Sequence, residues 1–219
     1  MKRATITLLL ICGAAFAQQK DTFTDTRDKK TYKTVKIGTQ TWMAQNLDYH
    51  GEDGHLGLCY GDEPKKRIRN PENCRKYGRL YDWDEAMQAC SKGWHLPNNE
   101  EWQTLVDFAG GGDIAGKKLK TKNGWDRCKR IEIDNRGRVT NNDDCGTDDY
   151  GFSALPGGIS FDNFFYVNFD GVGNYGGFWS ATESVYDLAN LRGMAYRDKL
   201  VVKAAYSKSV SLSVRCLKD

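Results

Sequence analysis

The cysteines limit what this chain can fold into more than any other feature. Seven occur, at positions 12, 59, 74, 90, 128, 145 and 216. The first lies inside MKRATITLLLICGAAFAQQ, where Lys2 and Arg3 precede an apolar run from Ile6 to Cys12 and the small-residue triplet Ala15-Phe16-Ala17. That pattern predicts a secretory signal peptide over residues 1–17, cut after Ala17. Bulky Ile11 before Cys12 argues against lipid attachment at that cysteine. The six remaining cysteines form an even set in an exported chain, which reads as three disulfides.

Facing and spacing suggest how they pair. Residues 50–79 mix Gly, Asp, Pro and basic side chains without periodicity and read as a long surface loop, which a Cys59–Cys74 bridge would staple. In YDWDEAMQACSKG, Asp82 is an N-cap with Glu85 three residues on. Trp83, Ala86, Met87 and Cys90 then share one helical face, and Gly93 ends the helix. The segment KSVSLSVRCLKD alternates Val210, Leu212, Val214 and Cys216 against Ser209, Ser211, Ser213 and Arg215, as a half-buried strand does. Cys128 and Cys145 flank a polar excursion and read as a local pair, which leaves inward-facing Cys90 and Cys216 to pair across the core.

A second helix follows in GWHLPNNEEWQTLVDFAGG. Asn98 caps it and Glu101 completes the capping box, Trp102, Leu105, Val106 and Ala109 face inward, and Gly110-Gly111-Gly112 ends it. YKTVKIGTQTWMAQNL reads as two short strands around a tight turn at Gly38-Thr39, and the polar stretch 18–30 as a mobile lead-in to one domain over 31–219.

The literal G-x-G-x-x-G of Gly171, Gly173 and Gly176 needs a following helix to bind a dinucleotide. FWSATES has no helical periodicity, so the glycines read as a turn between strands. Losing Lys2 and Arg3 lowers the formal charge from +3 to +1, which leaves no electrostatic footprint for nucleic acid. No later apolar run is long enough to cross a bilayer.

These segments, with GTDDYGFSALPGG, GFWSATES and the closing SVRCLKD, resemble the Fibrobacter succinogenes major paralogous domain family over nearly all of 22–219. The resemblance implies exported or surface bacterial proteins. LPNNEEW with a C-terminal VRC also resembles the C-type-lectin-like fold of the formylglycine-generating branch. It implies an α+β fold of two helices packed on a small twisted antiparallel sheet with long disulfide-stapled loops, and a disulfide from the first helix to the last strand.

No catalytic constellation stands out. His50, His55 and His95 lie outside H-E-x-x-H, and Glu100 and Glu101 beside His95 read as helix-start carboxylates. Asp143, Asp144, Asp148 and Asp149 offer oxygens of the kind calcium uses, with Asp148 and Asp149 the candidate ligands and turn capping the competing role. The aromatic, Gly-rich half supplies candidate ligand-binding residues: Tyr166, Tyr175, Trp179 and Tyr196, whose rings could stack on sugar, with Glu183 and Arg192 to bond hydroxyls. The expected function is an exported non-catalytic module for carbohydrate or another cell-surface polymer, secreted or at the cell surface, with no cofactor beyond that calcium. The alternative is an enzyme on the same scaffold, either a formylglycine-generating-type oxidase needing two free cysteines or a weak glycan hydrolase.

Overall fold

The structure, a computed structural model, describes residues 20–126, 130–133, 136, 139–142, 145–162 and 167–219, with the backbone alone at 130–133, 139–142 and 162. The predicted signal peptide, Tyr166, Cys128, Asp143 and Asp144 lie outside the described residues.

In chain order the elements are strands β1 (Lys20–Thr24), β2 (Thr31–Ile37) and β3 (Gln40–Met43), helix α1 (Pro71–Tyr77), β4 (Leu80–Tyr81), α2 (Trp83–Ala89), β5 (Trp94–His95), α3 (Asn99–Phe108) and α4 (Gly112–Leu119). Then follow β6 (Arg130–Ile133), β7 (Val139–Asn142), β8 (Gly157–Asp162), β9 (Val167–Val172), β10 (Tyr175–Glu183), β11 (Leu188–Ala195), β12 (Val202–Ser207), β13 (Val210–Ser213) and β14 (Leu217–Lys218). A five-stranded sheet runs β1-β2-β3-β14-β5, and a seven-stranded sheet runs β12-β11-β10-β13-β8-β9 with β4 also on β13. A separate hairpin joins β6 and β7.

This architecture overturns the expectation of two helices on one small antiparallel sheet. Strand exceeds helix, 37% against 20%, in two multi-stranded sheets, with four α-helices among the described residues. The larger sheet is mixed, because β10 pairs in parallel with both β13 and β8. Two helices escaped the sequence reading for different reasons. Helix α1 sits in the supposed loop, opened by Pro71 at its first position, where a missing N–H costs nothing. Helix α4 contains Gly112 and Gly116, both poor helix formers. At Gly116 a Cβ would lie 2.1 Å from the Leu200 carbonyl oxygen, so the chain accepts weak propensity in exchange for close packing.

The predicted helices α2 and α3 both open with complete capping boxes: Asp82 with Glu85, and Asn98 with Glu101. Trp102, Leu105, Val106 and Ala109 are buried as expected. Met87 is not; it is 46% exposed, and α2, which ends at Ala89, buries Trp83, Ala86 and Ala89. β2 and β3 form the expected hairpin, with Gly38 at a φ of +59° in its turn. Strand β1 begins inside the segment read as a lead-in and pairs along β2.

The core has two parts. One gathers Tyr32, Met43, Tyr81, Trp83, Trp94, Trp179 and Leu212, and the other Trp42, Trp102, Phe152, Phe178 and Leu119. Indole N–H groups bridge elements inside them: Trp102 Nε1 donates to the Trp179 carbonyl at 3.2 Å and Trp179 Nε1 to the Tyr81 carbonyl at 2.8 Å.

Residues 210–218 are shared between the sheets. β13 lies within the larger sheet and β14 within the smaller, so the predicted half-buried strand is instead buried on both faces, Ser211, Ser213 and Arg215 included. At the crossing, Arg215 Nε donates to Asn46 Oδ1 at 2.7 Å, Nη1 to the Met43 and Phe152 carbonyls, and Nη2 to the Ser153 carbonyl at 2.7 Å. These bonds meet the cost of burying a guanidinium. The Cys90–Cys216 disulfide closes 126 residues at the same place, and Cys59–Cys74 closes 15 residues around α1.

Candidate functional site

The smaller sheet curls. β1 and β5 are its two outermost strands, yet the Phe23 and Trp94 rings meet at 4.9 Å between centroids. One face is therefore concave, and it holds a groove of about 470 Å³ lined by Asp21, Thr22, Phe23, Thr34, Lys36, Thr41, Lys92, Gly93, Trp94 and Lys218.

Strand register explains which side chains line it. Residues opposite one another in a sheet share a face. Lys36 pairs with Thr41, and Lys218 with Trp94. Leu217 opposite Trp42 sets Lys218 beside Thr41. Lys36, Thr41, Lys218 and Trp94 thus form one row across β2, β3, β14 and β5. The next row begins Asp21–Thr34–Met43, where Met43 is buried and Thr34 is 4% exposed. Lys92 reaches the same groove from the turn before β5, whose Trp94 N–H donates to the Ser91 carbonyl at 2.9 Å.

Three ammonium groups and one carboxylate line this space. None of Lys36, Lys92 and Lys218 makes an ion pair among the described residues. Trp94 is only 8% exposed because Phe23 covers it, so the surface presented is chiefly hydroxyl and ammonium. A second groove of about 530 Å³, lined by Lys20, Thr22, Lys33, Thr34, Val35, Ala44, Gly151 and Ser153 among others, flanks β1 as well.

Among the described residues, none of those singled out from sequence lines this groove. Trp179 is fully buried, so it offers no ring face to a sugar. Arg192 is 2% exposed on the opposite face of the sheet, its guanidinium donating to Asn99 Oδ1 and to the Asn99 carbonyl, each at 3.2 Å. Burial lowers the Arg192 pKa, partly offset by Glu100. Tyr175 is half-buried over Gly177 and Gly193, where an added Cβ would lie within 3 Å of its ring or hydroxyl, and burial raises its pKa, helped by a bond to Tyr206. Tyr196 packs against the second core with the Arg197 guanidinium 4.9 Å from its ring. Glu183 is exposed and pairs with Lys208 at 3.0 Å. Alternation on β10 and β11 sends Tyr175 and Trp179 to one face and Arg192 to the other.

Asp148 is occupied by its own turn. Its carboxylate accepts from the Ser153 backbone N–H at 2.8 Å and the Ser153 hydroxyl at 2.7 Å. Among the described residues no group of three or more His, Cys, Asp and Glu is arranged to hold a metal ion. Of the glycines of G-x-G-x-x-G, Gly173 lies in the tight turn between β9 and β10 with φ near +84°, Gly171 near the end of β9 has φ near +75°, and Gly176 lies at the start of β10, so strand and not helix follows.

On β5 the neighbour of Trp94 faces the other way. His95 Nδ1 lies 2.6 Å from Asp219 Oδ1 and Nε2 lies 2.9 Å from Glu101 Oε1, while Glu101 Oε2 accepts from the Asn98 N–H at 2.8 Å. The helix-start role read from sequence is therefore present, and the same carboxylate also holds the imidazole. Burial pushes the His95 pKa down, but Asp219 and Glu101 outweigh it and the net shift is upward.

The groove residues were missed for a physical reason. Alternation in TYKTVKI puts Thr34 and Lys36 on one face and Val35 and Ile37 on the other, which is visible in sequence. That β14 and β5 extend the same sheet is not, because those pairings span more than a hundred residues.

The sequence model of the family described as Fibrobacter succinogenes major domain matches residues 35–218. No curated protein and no solved structure matches the chain. Within the match lie Lys36, Thr41, Lys92, Trp94 and Lys218, whereas the β1 side of the groove, with Asp21 and Phe23, precedes it. The chain belongs to the Fibrobacter succinogenes major domain family.

Proposed function

We propose that this chain is an exported, non-catalytic module that binds carbohydrate or another cell-surface polymer through the concave face of its smaller sheet. The observation that carries the reading is the groove itself: an open channel of about 470 Å³ whose floor and rim present threonine hydroxyls, ammonium groups and a carboxylate. Such groups exchange hydrogen bonds with a polyhydroxylated chain, and a rigid sheet holds them in place without a reacting group at the centre. The two disulfides are compatible with an extracellular location, and no helix among the described residues is long and apolar enough to cross a membrane.

Glycan-array binding and co-sedimentation with polysaccharide and cell-envelope fractions test the proposal. Thr41 lies in the middle of the cross-sheet row and is half-buried, so Thr41→Trp fills the groove while leaving the pairing of β3 intact. The expected result is retention of the parent chain on at least one polymer and loss of retention in the variant, with an unchanged thermal midpoint. Retention that the variant leaves untouched, or none by the parent chain, would sink the reading.

A further inference from the structure

We infer that the polymer this groove takes is a carboxylated polysaccharide, of the uronic-acid class. The inference rests on the binding function proposed above and narrows it.

The argument begins with what the groove lacks. An exposed aromatic platform is the usual means of holding a neutral sugar ring, because a flat π-face covers the apolar side of the sugar. Here Trp94 is 8% exposed and Phe23 lies against it, so the aromatic pair closes the wall of the groove and leaves little ring surface to stack on. Affinity has to come from polar and charged groups.

The charged groups are arranged to supply it. Lys36 and Lys218 stand in one row on either side of Thr41, two strand spacings apart, or about 10 Å. That is roughly one Debye length at moderate salt, so their fields add over the groove. Lys92 adds a third ammonium, and Asp21 is the one carboxylate in the lining. Like charges gathered on one concave face raise each other's cost until an anion arrives.

The same lining selects the kind of anion. Asp21 on the rim would repel a chain that carries sulfate or phosphate densely, but it can accept a bond from a sugar hydroxyl. Thr22 and Thr41 offer further hydroxyl partners. A polymer with a single carboxylate per sugar and free hydroxyls between satisfies all of these groups together. Nucleic acid fits poorly, since it brings dense phosphate and bases that need exposed rings.

Co-sedimentation and titration calorimetry with polygalacturonate, against cellulose and xylan as neutral polymers and heparin as a sulfated one, decide the matter. Polygalacturonate should bind best, weakening several-fold between low and high salt as screening grows. The double variant Lys36→Glu and Lys218→Glu should lose roughly tenfold or more in affinity for it. Should that variant melt early, Lys36→Ala with Lys92→Ala replaces it and should show a smaller loss in the same direction. Tighter binding of cellulose or xylan, insensitive to salt and to the lysine variants but abolished by Thr41→Trp, would overturn the carboxylate assignment and leave the binding function standing. Preference for heparin would overturn it in favour of a sulfated partner. No binding of any polymer would overturn both.

Discussion

The two sheets make opposite use of similar material. In the seven-stranded sheet the Gly-rich strand β10 turns its rings inward: Phe178 and Trp179 are fully buried and Tyr175 is half-buried over Gly177 and Gly193. The five-stranded sheet carries aromatics too, Phe23, Tyr32, Trp42 and Trp94, but leaves one face partly uncovered, where Lys36, Thr41 and Lys218 stand in a row. A stretch rich in Trp and Tyr therefore locates core at least as readily as it locates a binding face, and the difference lies in which faces other elements cover. Here the larger sheet supplies stability and the smaller one presents the groove.

That division can be broken experimentally, and the largest effect should fall in the core of the larger sheet. Trp179→Ala removes a fully buried indole and the bond from its N–H to Tyr81, and should cost about 3–5 kcal/mol in urea unfolding. Because Trp179 lies away from the groove, polymer binding by the folded fraction should be unchanged. A variant that kept its stability but lost binding would reverse the roles assigned to the two sheets.

Next in size is the disulfide that ties the end of α2 to the segment between the two sheets. Cys90→Ser with Cys216→Ser opens a closure of 126 residues and should lose about 2–5 kcal/mol. Matched unfolding curves from Trp fluorescence and circular dichroism would show both sheets failing together. If the two probes separated, the sheets would be independent units.

The smallest effect concerns the side of β5 facing away from the groove. The folded pKa of His95 lies above its ordinary value of 6.5, so its stabilising contribution is complete below about pH 6.5 and disappears as pH rises through the folded value. The stability difference between the parent chain and His95→Gln should therefore be larger near pH 5.5 than near pH 8.5, and modest throughout because the imidazole is 38% exposed. A difference that grew with pH would show that the imidazole is held neutral.

Much of the local structure was legible. Asp82 with Glu85 and Asn98 with Glu101 specify helix starts by chemistry that needs no tertiary context, and the inward facing of Cys90 and Cys216 anticipated their bond. The proposed Cys128–Cys145 pair lies partly outside the described residues. What was not legible depends on distant neighbours. The helix at Gly112–Leu119 forms despite two glycines because Gly116 packs against Leu200, and Arg215 is buried because Asn46 and three carbonyl-bearing residues from elsewhere surround it. The groove is of the same kind: each wall is ordinary strand sequence, and only the pairing of β14 with β3 and β5 brings the lysines together.

The segment 210–218, shared by both sheets, also sets the timing of folding. On the ribosome, residues 20–209 emerge without the strand that lies between β10 and β8 and without the one that joins β3 to β5. Neither sheet has its full strand order before that segment is in place, although β10 and β8 also pair directly at Gly176 and Gly158. Order in both sheets is thereby tied to a single event, the docking of one short segment.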